Sequence, residues 1–241
     1  MTIKDTDTLI IGNGRLAGHL CNFFKSKEIP FTQWHRHSNT NSIQDLKNAA
    51  SPAKRILLCI SDGMISDFIS QHEELFTHKT LVHFSATVSD SRILGFHPLG
   101  SFSHDINVDF SSIHFHGVHP ESLFREALPM LKNPYARLSS EDLKLYHALC
   151  VVGGNFTSLL WREFFREMQK LGIQQDALFS YLSLVSKNIL TNPEKATTGP
   201  LIRGDLKTIE SNMDSLSFKA PHLSQIYNVF VNTFAKQLER N

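Results

Sequence analysis

Cysteine is scarce in this 241-residue chain, with Cys21, Cys59 and Cys150 the whole complement. An odd number of widely spaced thiols set in apolar stretches excludes a disulfide framework and a zinc knuckle, and leaves them as small core residues. Net charge is nearly absent too, +1 from 24 Lys and Arg against 23 Asp and Glu. Bulk composition therefore offers nothing to nucleic acid or to an acidic membrane surface. No apolar run approaches a membrane span, and the opening MTIKDTDT lacks the basic-then-apolar form of a signal peptide. The expectation is a cytoplasmic protein with no membrane and no nucleic-acid partner. Histidine, by contrast, is plentiful at 13. His35 with His37, and His114 with His116 and nearby His119, invite a metal reading, but the further ligands a site needs are not supplied by the spacing. These imidazoles are read as solvated or hydrogen-bonded, and no metal is assigned.

What is present is organised around Thr8 to Gly18, TLIIGNGRLAG. The apolar run Leu9 to Ile11 stops at Gly12, and Gly14 and Ala17 follow at the spacing of a G-x-G-x-x-G/A fingerprint. This reads as a strand, a tight turn and a helix start. A helix N-terminus offers unpaired N–H groups and partial positive charge, so it holds a pyrophosphate wherever no side chain keeps the backbone away. Gly12 permits the turn, Gly14 the approach, and Ala17 lets the helix lie against the strand. Residues Gly12, Asn13, Gly14, Arg15, Leu16 and Ala17 are therefore candidate dinucleotide ligands, and Leu16, Leu20, Phe23 and Phe24 continue as an amphipathic helix.

Phe31 to Trp34 reads as the second strand, and the residue that selects the cofactor should follow it. An NAD site would carry an acidic residue there; this chain has Trp34, His35, Arg36, His37, Ser38. Arg36 suits a charge-assisted, bidentate contact to a 2′-phosphate, with His37 and Ser38 as further donors, so NADP(H) is expected over NAD(H). Residues 42 to 50 are helix-compatible. Ile56 to Ile60 is a buried parallel strand by its unbroken apolarity, and Asp62 reads as the cap of the next helix, with Ser61 and Asp62 also beside the cofactor. Thr80 to Phe84 is a further strand, and Ser85 in the turn after it is a candidate cofactor contact. Ile93 to Phe96 leads into His97, Pro98, Leu99, Gly100, Ser101, and beyond it Ile113 to Val118 reads as a further strand and Ser122 to Leu131 as a helix. Loops after parallel strands gather on one edge, so His83, Ser85 and His97 should meet there, with Ser101 near the substrate.

Asn133, Pro134, Tyr135 read as a boundary, giving residues 1–134 as the nucleotide-binding domain and 135–241 as a helical domain. Beyond it the pattern is helical, with no convincing strand. Ser140 is expected to cap a long helix from Glu141 to Gly172. Gly153 and Gly154 inside it cost about 1 kcal/mol each relative to Ala, so they should serve close packing of another helix or of a cofactor. His147 and Asn155, eight apart, point within roughly 80° of each other on an α-helix. A helix follows from Gln175 to about Thr191. In TTGPLIRGD, Thr198 and Pro200 suit a helix start, while Arg203 with Asp205 forms an ion pair or addresses an anion. The last helix, His222 to Leu238, carries Ile226, Val229, Phe230, Thr233 and Phe234 on one side, which suits core or dimer packing.

As a set, GNGRLAG, HFSA, HPLGSF, YHALCVVGGNF and TGPLIRGD resemble, in the same order and over nearly the whole chain, a bacterial family of two-domain proteins classed as NADP-dependent oxidoreductases. That family joins a Rossmann-like domain to a helical domain of unknown function. Its wider relatives are pyrroline-5-carboxylate reductase, ketopantoate reductase and 6-phosphogluconate dehydrogenase. The resemblance implies an α/β fold with an N-terminal doubly wound, parallel Rossmann domain and a C-terminal all-α domain like that of 6-phosphogluconate dehydrogenase. It also implies a helical domain that shapes the substrate cleft between domains and forms a homodimer. The chain departs from the family at Ala86, where glycine is expected, and at Asn212, where histidine is expected. Val151 stands where β-hydroxyacid dehydrogenases place a lysine, four residues before the helix asparagine, here Asn155. Together these expectations describe an NADPH-dependent reductase of a small carbonyl or imine compound. His97 or His147 would donate the proton, Asn155 would orient the substrate, and Ser101, Thr198 and Arg203 would bind it. The competing expectation is a non-catalytic dinucleotide sensor or scaffold, since fold alone does not prove reaction.

Overall fold

The computed structural model describes residues 7–36, 42–104 and 108–238. The chain divides into two compact units, Met1–Gly154 and Asn155–Asn241.

In the first unit, Thr8–Ile11 forms β1, four residues buried without exception. An uninterrupted apolar run of this kind suits a strand covered on both faces. The chain turns at Gly12 with φ of 133° and enters α1, Arg15–Ser26. Next come β2 (Thr32–Trp34), α2 (Ile43–Ala50), β3 (Arg55–Leu58), the short α3 (Ile65–Gln71) and α4 (Glu73–Phe76), β4 (Thr80–His83) and β5 (Leu94–Gly95). All neighbouring strands pair in parallel, in the order β2-β1-β3-β4-β5. Strand alternation sorts the core into two layers. Ile10, Leu57 and Val82 pack with Ala17, Leu20 and Phe24 of α1. Leu9, Ile11, Ile56 and Leu58 pack with Leu46 and Ala50 of α2 and Ile65 and Ile69 of α3. Each such side chain fully removed from water contributes about 1.5–3 kcal/mol, so both faces of the sheet are secured. This is the doubly wound α/β architecture expected from the sequence.

A second, small sheet follows, of which the strand expected over Ile113 to Val118 and the helix expected over Ser122 to Leu131 were anticipated, while the strands beside them were not. His97–Leu99 is β6, His114–Gly117 is β7 and Tyr135–Arg137 is β8, with α5 (Glu121–Ala127) between the last two. β6 runs antiparallel to β7, and β8 parallel to it. Two expectations are corrected here. His97 stands on a strand rather than in a strand-end loop, and a strand does follow Pro134. Asn133 is buried, its amide donating to the carbonyls of Phe110 and Ile113 at 2.7 and 2.8 Å. That pairing ties the segment before β8 to the segment before β7.

α6 (Ser140–Cys150) is capped by Ser139, whose hydroxyl accepts from Asp142 N at 3.0 Å; Ser140, the expected cap, is its first helical residue. Val151–Phe156 winds as a π-helical turn before α7 (Thr157–Lys170). A Cβ added to Gly153 or Gly154 would meet no atom within 4 Å, so neither glycine serves close packing among the described residues. The π turn also alters the 3.6-residue phase from which the angle between His147 and Asn155 was read.

The second unit is helical throughout its described length: α7, α8 (Gln175–Thr191), α9 (Pro200–Arg203), α10 (Leu206–Lys219) and α11 (Pro221–Leu238). α8 has the bounds the sequence predicted. Pro200 starts α9, but the cap is Gly199, and Gly204 ends the helix at φ 65°. Arg203 and Asp205 do not pair with each other. Arg203 donates to the Thr198 carbonyl at 2.6 Å, and Asp205 caps α10 by accepting from Thr208 N at 3.2 Å. Among the described residues no helix is long and apolar enough to cross a membrane.

Candidate functional site

The order β2-β1-β3 means that the chain reverses its winding between β1 and β3. In open parallel sheets the crevice beyond the strand ends at such a switch point is where ligands bind. A cavity of about 340 Å³ lies there, lined by Gly12, Asn13 and Gly14 after β1, by Cys59, Ile60 and Ser61 after β3, and by Trp34 at the end of β2 with His35 and Arg36 after it. Met64 and Phe68 complete its wall. Gly12 is obligatory for its shape, because a Cβ there would lie 2.2 Å from the Cys59 carbonyl oxygen. Gly14, by contrast, would carry a Cβ into open space. It stands at the N-cap of α1 with no side chain bonded to the helix's first N–H groups. Those donors and the positive end of the helix dipole are thus left for a ligand.

The candidate cofactor residues therefore divide. Gly12, Asn13, Gly14, Arg36 and Ser61 share this cavity. Ala17 is fully buried and Leu16 partly so, both against the core beside α1. Arg15 lines a different hollow of about 790 Å³ beside His19, Lys25 and Lys27. His37 and Ser38 lie outside the described residues.

Asp62 and Ser85 form a tie between two strand-end loops. Asp62 Oδ2 accepts from the hydroxyls of Ser85 and Thr87 at 2.6 and 3.2 Å, and Ser85 Oγ accepts from the backbone N–H of Thr87 at 3.0 Å. Asp62 thus caps no helix: it opens a short 3₁₀ turn whose N-cap is Ser61, and its carboxylate is engaged across the sheet edge instead. His83 joins the tie from below, its Nδ1 accepting from Ser85 N at 3.1 Å. Burial holds the His83 imidazole down at about 4, against a weaker opposing pull from Asp62.

His97 belongs to a second constellation, the outer face of the small sheet. Phe115 is fully buried in the core, so its neighbours His114 and His116 must project from the opposite face. His97 pairs with His116 across β6 and β7, which puts their side chains together. α6 brings Tyr146 and His147 to the same place. The Tyr146 hydroxyl lies 3.1 Å from His97 Nδ1, and its ring lies 4.7 Å from that of His116, centroid to centroid. The His147 ring stands edge-on to His97 at 5.6 Å. Burial, then the neighbouring His147 and His116, hold His97 down at about 4. Burial and then the Cys150 thiol push the Tyr146 phenol well above its ordinary value. His97 and His147, offered by the sequence as alternative donors, are thus brought together. Tyr146 and His116 were not anticipated as their partners, although the alternation of His114, Phe115 and His116 held the signal.

Ser101 is exposed after β6, and Asn155, Thr198 and Arg203 are exposed in the second unit. The three thiols are free; burial raises Cys21 to about 11 and raises Cys59 further. Among the described residues His114, His116 and His119 do not assemble a ligand set, and His37 of the other cluster lies outside them. One group of three does meet, Glu163, Glu167 and His222, with ligand atoms within 4.8 Å of one another. The Arg166 guanidinium pairs with Glu163 and lies 3.6 Å from Glu167 and 3.4 Å from His222. Protein side chains already supply the cation there.

A doubly wound sheet with a glycine-turned crevice at its switch point, followed by a helical unit, defines a Rossmann-type fold. Residues 120–233 match the family described as a domain of unknown function, DUF2520, as the sequence motifs led us to expect. The fold matches a Bacteroides fragilis protein named as a putative NADP oxidoreductase, at 20% identity and TM-score 0.75 over 98% of this chain and 100% of that one. It also matches an imine reductase from Myxococcus stipitatus in complex with NADP+, at 14% identity and TM-score 0.63 over 95% and 94% of the two chains. A reductive aminase from Aspergillus terreus in complex with NADPH and ethyl levulinate matches at 15% identity and TM-score 0.60 over 96% and 94%. No curated protein sequence matches the chain.

Proposed function

We propose that this protein is an NADPH-dependent oxidoreductase that reduces a small carbonyl or imine compound. The observation that carries the proposal is the uncapped N-terminus of α1 opening on the switch-point cavity, with Arg36 on the cavity wall. The residues fit a dinucleotide. Gly14 leaves room for a pyrophosphate to reach the helix N–H groups, and Arg36 addresses a 2′-phosphate where an acidic residue would repel it. Structural neighbours crystallised with NADPH and NADP+ support the same cofactor. When bound, a reduced nicotinamide supplies the hydride; the chain's own residues orient the substrate and manage charge on the atom that accepts the electrons. His97 and His147 are the groups assigned to that atom, with Asn155 orienting the substrate and Ser101, Thr198 and Arg203 contributing to its binding. The helical domain is assigned to a homodimer, on the strength of the apolar side chains its helices leave exposed.

The test is calorimetric and fluorescence titration of the full chain with NADPH and NADH, followed by oxidation assays over a panel of keto acids, aldehydes and imines. NADPH should bind at least about tenfold more tightly than NADH, and Arg36→Glu should cost about 10–100-fold in NADPH affinity, the worth of a hydrogen-bonded charge pair. Absence of binding by both coenzymes overturns the proposal. Binding without turnover on any substrate favours a dinucleotide sensor, a reading to which Val151 in place of a lysine lends weight.

A further inference from the structure

The imidazole face of the small sheet holds more information than the assignment of His97 to the reaction uses. His97 Nδ1 faces the Tyr146 hydroxyl at 3.1 Å. Its other nitrogen, Nε2, makes no hydrogen bond among the described residues, and unlike His116 Nδ1 it is not sealed from solvent. The groups packed around the ring are His147 edge-on, His116 paired across the strands, and Tyr146 itself. None of them but the phenol is within bonding distance of Nδ1.

We propose that Tyr146 is a positioning residue: its phenol donates to His97 Nδ1 and so holds the imidazole in the tautomer that carries its proton on Nε2, the nitrogen open to a ligand. The direction of the bond follows from the chemistry of the partners. A phenol is the stronger donor and a neutral imidazole nitrogen the stronger acceptor. The reverse arrangement would leave the phenolic proton with only the Cys150 sulfur, a weak acceptor, as its neighbour. Burial keeps His97 uncharged near neutral pH, so the two groups meet as neutral donor and neutral acceptor. Tyr146 is held for this purpose by the face of His116 and by its place on α6.

This inference rests on the reductase reading and alters one part of it. A neutral imidazole does not give up its Nε2 proton near neutrality; it hydrogen-bonds to the atom on which negative charge develops. As hydride arrives at the carbon of a C=O or C=N bond, the π electron pair moves onto oxygen or nitrogen. Nε2–H stabilises that atom, and a proton from water completes the alcohol or amine. His97 is then an electrophilic group fixed by Tyr146, not a proton reservoir.

The test reads the tautomer directly, on the uniformly ¹⁵N-labelled full chain without substrate. Long-range ¹H–¹⁵N correlation at neutral pH, with His97 assigned by the cross-peaks lost in His97→Gln, should show the Nε2–H pattern. In Tyr146→Phe the two His97 nitrogen shifts should move toward the average of the two tautomers, and kcat should fall about tenfold with KM nearly unchanged, as for a group that acts only as charge develops. An Nδ1–H pattern in the unaltered protein, which requires no variant to fold, overturns the inference. So does an unchanged pattern in Tyr146→Phe. An Nε2–H pattern that depends on Tyr146, in a protein that turns over no substrate, supports the positioning role and counts against the reductase reading alone.

Discussion

The two units solve the problem of apolar surface in opposite ways. In Met1–Gly154 the sheet is buried on both faces, with Leu9, Ile10, Ile11, Ile56 and Leu57 all fully inaccessible. Among the described residues of Asn155–Asn241, Leu178, Ile209 and Ala220 are the buried apolar side chains, while Leu171, Leu190, Leu206 and Phe218 are 69% exposed or more. A helix satisfies its own backbone hydrogen bonds and can leave its apolar stripe bare; a central parallel strand cannot. The buried apolar core therefore lies mainly in the first unit, and most of the large exposed apolar side chains lie in the second.

The comparison would be broken most severely at Gly12. Gly12→Val demands a side chain at φ 133° and 2.2 Å from a carbonyl oxygen. It should cost at least about 3 kcal/mol, read as a lowered denaturant midpoint, and abolish coenzyme binding. An intermediate effect comes from acid. His83 is buried with its affinity for protons lowered to about 4. The unfolded chain therefore binds more protons between about pH 6.5 and 4, and stability, fully present above that window, falls as pH drops through it. For His83 the loss should be about 2 kcal/mol, seen by urea titration at pH 7.5 against pH 4.5; His83→Gln should remove that share of the dependence and leave the share set by His97, which is held down to the same value. The smallest effect sharpens the contrast from the other side. Leu190→Gln, at a position 87% exposed, should leave monomer stability within about 0.5 kcal/mol and lower self-association in sedimentation equilibrium. A loss comparable to that at Gly12 would show that the helical unit has a core of its own after all.

Where the physics is local, the sequence was sufficient. β1, its glycine turn and α1 were legible because apolar run, glycine and amphipathic helix adjoin in the chain, and α8 was legible from its length and period. Of the small sheet, β7 was legible and its partners β6 and β8 were not. Strands of three residues offer too few alternations to be told from loops, and β6 pairs with β7 only after an intervening segment. The same reasoning explains the site. Gly12, Gly14 and Arg36 could be named from spacing alone. Tyr146 could not be matched to His97, nor Asp62 to Ser85, because each pair is made by tertiary contact. Asp62 was mistaken for a helix cap because a local carboxylate before a helix most often is one.

The tie through Asp62, Ser85 and Thr87 bears on how the crevice receives its occupant. Loops that border a binding mouth usually surrender mobility when a ligand settles, and that entropic loss weakens affinity. Here the segments after β3 and β4 are already laced together at the sheet edge by the buried Ser85 and the exposed Asp62 and Thr87. On that edge the mouth stands ready in advance, and an incoming molecule finds its frame set before the first contact is made.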